Sequence, residues 1–98
     1  MFTGLVEGTA AITNIEMVGP GMLLTLDLGL ASQGVQIGDS IAVAGCCLTV
    51  VKIQGCNCDF ELGSETLSKT TFSAKQIGER VNFERSLRVG DRMGKKKQ

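Results

Sequence analysis

Three side chains with useful chemistry lie close together near the middle of this 98-residue chain: the Ser40 hydroxyl, the Cys47 thiol and the Thr49 hydroxyl. Cys47 and Thr49 stand at alternate positions, so on an extended strand they point the same way. A thiol and a hydroxyl on one face of a small β structure, with Ser40 nearby, could line a polar pocket that accepts a heterocycle. The alternative reading is structural, with Cys47 a small buried hydrophobe and Thr49 a good strand former. Cys46, Cys47, Cys56 and Cys58 do not suggest zinc. Adjacent cysteines on a strand face opposite ways, the spacings yield no natural tetrahedral set, and histidine is absent.

The element that positions these groups is the stretch 39–51, two apolar runs hinged at Gly45. Ile41 and Val43 alternate in the first run, and Cys47, Thr49, Val51 and Ile53 alternate in the second, which predicts two strands. Upstream, the chain runs through Ile12 and Ile15 to a turn at Gly19-Pro20-Gly21. Met22, Leu24, Leu26 and Leu28 then form one apolar face of a strand. Residues 30–35 read as a short irregular or helical link, and Gly38-Asp39 turns the chain into the central hairpin. After Gln54-Gly55, Cys58, Phe60 and Leu62 alternate with Asn57, Asp59 and Glu61, giving a strand with a buried and a wet side.

Ser64 reads as a helix N-cap, with Glu65 in the first turn and Lys69 in the last, each favourable for the helix dipole. Ser73 and Gln76 are spaced for a capping box on a further short turn. Val81 and Phe83 make a last strand, and the chain from Gly90 reads as a tail ending in Lys95-Lys96-Lys97. Six short strands separated by turn signals predict an all-β, antiparallel barrel or sandwich with brief helical turns. Closing the sheet removes exposed edges and favours the barrel.

Composition narrows the partners. Hydrophobic residues make up 43% and charged residues 20%, and formal net charge is zero, so no field gathers nucleic acid or an anionic membrane. An OB-like nucleic-acid binder is disfavoured further by the absence of Tyr and Trp. No apolar run approaches the roughly 20 residues that span a bilayer, and the N-terminus lacks a secretory pattern. A cytoplasmic chain with free thiols is expected.

Five ordered motifs carry a more specific signal: Met1-Phe2-Thr3-Gly4-Leu5-Val6-Glu7-Gly8, Gly38-Asp39-Ser40-Ile41-Ala42-Val43, Gly45-Cys46-Cys47-Leu48-Thr49-Val50, Glu65-Thr66-Leu67 and Val81-Asn82-Phe83-Glu84-Arg85. Together they resemble the N-terminal half of riboflavin synthase across nearly the whole chain. The resemblance implies a six-stranded Greek-key β-barrel over residues 1–90, with 91–98 a tail where the linker to a second barrel would begin. It also implies a reaction, the dismutation of two molecules of 6,7-dimethyl-8-ribityllumazine to riboflavin and a pyrimidinedione, with no metal or separate redox cofactor. The family's full-length enzymes carry two barrels per chain and form trimers, with each site where an N-terminal barrel meets another subunit's C-terminal barrel.

Carried over by motif, Gly4, Leu5 and Val6 offer backbone and apolar contact to the ring, and Cys47, Leu48 and Thr49 form the opposite wall. Glu61, Leu62, Gly63, Ser64, Glu65 and Thr66 run past the ring and the ribityl chain. Ser40, Cys47 and Phe2 are the expected chemical participants. A flat, polar-edged ring needs apolar walls and rim hydrogen bonds, while ribityl hydroxyls need acceptors such as Glu65 and donors such as Thr66. Glycine at 4 and 63 would let main chain approach the ring.

Two departures stand out. The family usually has asparagine where this chain has Ala44, and after Met93-Gly94 the family continues into a second barrel where this chain reads Lys95-Lys96-Lys97-Gln98. The expected behaviour is a homodimer, each chain standing in for the other's second barrel, that binds riboflavin or its lumazine precursor with little or no turnover. The alternative is a non-catalytic flavin or lumazine carrier resembling the lumazine proteins.

Overall fold

The computed structural model describes residue 2 and residues 4–86; the expected tail lies outside them. Alternation of apolar and polar residues dictates the strands. β1 (Gly8–Val18) and β2 (Gly21–Asp27) form a hairpin, and β3 (Ser40–Val43), β4 (Cys46–Gln54) and β5 (Asn57–Leu62) form a meander. The short helix α1 (Ser64–Lys69) and a 3-10 turn at Phe72–Ala74 lead to β6 (Arg80–Arg85). Every pairing is antiparallel, and the order β1-β2-β5-β4-β3-β6 closes on itself. β6 returns by its long connection to lie beside β3, the Greek-key arrangement. No helix among the described residues is long and apolar enough to cross a membrane.

The core is the inward face of each strand. Met22, Leu24, Leu26 and Leu28 are buried as the alternation predicts, as are Cys58, Phe60 and Leu62. Phe72, from the connection, joins the same core. Gly21 permits a close approach, because a Cβ there would sit 2.7 Å from the Leu62 carbonyl oxygen.

Two β-bulges alter the simple period of two. In β1 the register shifts between Ile12 and Asn14, so Ile12 and Ile15, three apart, both reach the core. The bulge residue Thr13 bonds outward, its hydroxyl donating to Asn57 Oδ1 at 3.1 Å. In β4 a shift between Val50 and Lys52 breaks the face expected for Cys47, Thr49, Val51 and Ile53. Cys47, Thr49 and Val51 are exposed, whereas Ile53 packs against the core. Cys47 is therefore not the buried hydrophobe of the structural alternative.

The helix boundaries also shift. Gly63, not Ser64, is the N-cap of α1, since β5 ends at Leu62 and Gly63 takes the extended conformation that Ser64 would have needed. Glu65 and Lys69 hold the expected ends of α1 and form an exposed ion pair at 3.1 Å. The Ser73–Gln76 capping box does not form: the turn at Phe72–Ala74 has Thr71 before it and no side-chain cap, and the Gln76 N–H donates to Glu79 Oε1. The link after β2 is a 3-10 turn at Gly29–Ser32.

Candidate functional site

The N-terminal segment does not end at the barrel wall but continues past β1 as an arm along β6. The Glu7 N–H donates to the Phe83 carbonyl at 2.9 Å, and the Gly4 N–H donates to Glu84 Oε1 at 3.0 Å. The Glu7 carboxylate meets the Arg85 guanidinium at 2.7 Å, and Arg85 Nη1 donates to the Ala31 carbonyl at 3.1 Å. Gly4 has φ +83°, a left-handed conformation that explains glycine there.

Beneath the arm lies the outer face of β3, β4 and β6. The ladders place Ala42 opposite both Cys47 and Glu84, and Ser40 opposite Thr49. Arm and sheet enclose a largely apolar cleft of about 280 Å³. Phe2, Gly4 and Val6 line it from the arm, Ala42, Gly45 and Cys47 from the β3–β4 hairpin, and residues 82–84 from β6. Four predicted positions, Phe2, Gly4, Val6 and Cys47, thus converge although they come from two distant stretches.

The other predicted positions lie elsewhere. Ser40 lines a separate hollow of about 170 Å³ with Asp39, Arg85 and Ser86. Residues 61–64 line a third, of about 450 Å³, with Val18 and residues 20–23. Val50 pairs with Phe60, so Thr49 and Glu61 are the next residues along two adjacent strands. Glu61 and Thr49 are both exposed. Leu48 and Leu62 do not present side chains to a surface ligand, because strand alternation turns them into the core at 5% and 2% exposure. Leu5 is 73% exposed. Glu65 bonds to Lys69, and the half-buried Thr66 offers its carbonyl to the Thr70 hydroxyl at 2.8 Å.

Ala42, Gly45, Asn82, Phe83 and Glu84 also line the cleft and were not among the predicted positions. The alternation in residues 81–85 sets Asn82 and Glu84 opposite to Val81 and Phe83. What the pattern lacks is any sign that the arm covers that face; Glu84 ends only 7% exposed.

The cysteines are all free thiols and differ in environment. Burial pushes the Cys46 thiol above its ordinary pKa, with Cys47 adding to the effect. Burial likewise raises Cys58, reinforced by Asp59, Cys56 and Asp39. Both are therefore held as neutral thiols and are poor nucleophiles. Cys47 is the thiol that borders the cleft. Among the described residues no three side chains are gathered to hold a metal ion.

Comparison with known proteins gives a consistent result. Residues 3–86 match the family model described as the lumazine binding domain. Riboflavin synthase of Brucella abortus (strain 2308) is 36% identical over 99 residues, covering 96% of this chain and 49% of that protein. Riboflavin synthase of Escherichia coli (strain K12) is 37% identical over 95 residues, covering 96% and 45%. The chain thus spans about half the length of the curated relatives it matches. Among solved structures, LumP complexed with 6,7-dimethyl-8-(1'-D-ribityl) lumazine aligns with a TM-score of 0.83 and 30% identity, covering 88% of this chain and 49% of that one. LumP complexed with riboflavin aligns with a TM-score of 0.82 at 30% identity, covering 87% and 46%.

Proposed function

This chain belongs to the lumazine-binding domain family, and on that ground we propose that it binds 6,7-dimethyl-8-ribityllumazine or riboflavin on the outer face of the barrel. The observation that carries the reading is the cleft in which Phe2, Gly4, Val6 and Cys47 converge. A flat ring enters between the arm and the β3–β4 hairpin, with Gly4 and Gly45 allowing close main-chain approach. The ribityl chain then runs over Thr49 and Glu61 toward Gly63, Ser64, Glu65 and Thr66. Leu48 and Leu62 contribute through their main chain, since their side chains belong to the core.

The parent activity is the transferase reaction of riboflavin synthase, in which one lumazine donates a four-carbon unit to another. Cys47 and Phe2 border the ring, and Ser40 acts from the neighbouring hollow. No metal or redox cofactor enters this scheme. In the cell the chain works in the cytoplasm, a setting in keeping with its four free cysteines. It pairs as a homodimer, a reading supported by the exposed Leu5 and Val6 on the arm beside the cleft.

A second reading, ligand holding without turnover, is favoured by one observation: Ser40 and Cys47 line different hollows, offset by two residues along the β3–β4 ladder. Isothermal titration with riboflavin and with the lumazine tests binding. A folded sample showing no saturable heat with either ligand overturns both readings. A lumazine turnover assay separates them, since a rate on the order of 1 per second or faster is ordinary enzyme behaviour and excludes a pure carrier.

A further inference from the structure

Glu84 is a carboxylate on the outer face of β6, where alternation alone would leave it wet, yet it is 7% exposed. The arm covers it, and its Oε1 accepts the Gly4 N–H at 3.0 Å. Glu84 and Gly4 both line the cleft, and Glu84 stands opposite Ala42 in the ladder, with Cys47 beyond it. The Glu7 bond to Phe83 anchors the arm near β1 but leaves residue 2 and residues 4–6 beyond it. The bond from Gly4 to Glu84 ties the main chain of that outer portion to the sheet. Hydrogen bonds to ionised acceptors are stronger than neutral ones, and a partly buried one holds position well.

We propose that Glu84 is a positioning residue: by holding Gly4 it seats Phe2 and Val6 over Ala42 and Cys47, and so forms the arm-side wall of the ligand cleft. The inference rests on the binding reading above. Without that bond, the wall is made only part of the time, and affinity falls in proportion to the seated fraction.

The test uses the whole 98-residue protein with riboflavin as the probe, reading amide hydrogen exchange at Gly4 alongside the dissociation constant. Glu84→Ala is expected to speed exchange at Gly4 and weaken riboflavin binding, each about tenfold, which corresponds to a charge-assisted bond of ordinary strength. Glu84→Gln keeps an acceptor oxygen and is expected to stay within about threefold of the parent on both measures. Should Glu84→Ala fail to fold, Glu84→Asp, whose carboxylate stops one methylene short of the Gly4 N–H, is expected to speed exchange at Gly4 and weaken riboflavin binding in the same direction. Unchanged affinity in a variant whose Gly4 has become labile overturns the proposal, and so do equal effects of the alanine and glutamine variants. If the parent binds no riboflavin but Gly4 still responds to Glu84→Ala, the seating of the arm stands and the binding reading falls.

Discussion

Cys46 and Cys47, adjacent in the chain, stand on opposite faces of β4: Cys46 pairs with Val43 and packs against the core, while Cys47 pairs with Ala42 and borders the cleft. The two thiols therefore have separable roles. Cys47→Ala is expected to weaken riboflavin binding with stability changed by less than about 1 kcal/mol, as for an exposed position. Cys46→Ala is expected to cost about 1 kcal/mol through lost packing and to leave affinity unchanged. Titration calorimetry and urea unfolding on both variants check this; equal effects on affinity would defeat the assignment of faces.

Stability is expected to fall on the alkaline side. Cys46 and Cys58 have folded-state pKa values raised above the ordinary thiol value of 9.0, so the folded state prefers the neutral thiol. For an acid with a raised folded pKa, the unfolded chain loses its proton first as pH rises. The contribution is fully present below the ordinary thiol value of 9.0 and is lost as pH climbs through the raised folded values. Urea midpoints measured between neutral and alkaline pH should decline for the parent and decline less for Cys58→Ala. Parallel pH profiles would contradict the assignment.

The β3–β4 turn carries a conformational cost at Ala44. Its φ is +50° and that of Gly45 is +82°, the left-handed pair of a tight hairpin turn, whose first position suits asparagine. An alanine in that region costs roughly 1 to 2 kcal/mol, and asparagine recovers part of it by local hydrogen bonding. Ala44→Asn is expected to raise stability by about 0.5 to 1 kcal/mol, read as a higher thermal midpoint. A lower midpoint would mean the turn is not strained.

Two glycines separate packing from ligand access. A Cβ at Gly21 would lie 2.7 Å from the Leu62 carbonyl oxygen, so Gly21→Ala is expected to destabilise by about 1 to 3 kcal/mol. At Gly63 a Cβ meets nothing within 4 Å and φ is −76°, so Gly63→Ala creates no clash and should cost no more than about 1 kcal/mol, the loss of a favoured N-cap residue. If main chain at Gly63 approaches the ligand, the same variant weakens riboflavin binding. Unchanged affinity in Gly63→Ala would remove residue 63 from the site.

Local alternation in the sequence determined the strands and their buried faces. Residues 22–28 and 58–62 needed no partner to declare which side was apolar, because a period of two is a property of the strand itself. The ordered motifs, taken together, pointed to the family as well. Tertiary structure decided what depends on pairing between distant segments. The bulges at Thr13 and Val51 arise from register mismatch between neighbouring strands, and they turned Ile15 and Ile53 inward against the simple period. The convergence of Phe2, Gly4 and Val6 with Cys47 required barrel closure, which brings β6 beside both β1 and β3 and lays the arm across its outer face. Closure also buried Glu84, since which outward-facing side chains become covered depends on where a distant stretch of chain comes to rest.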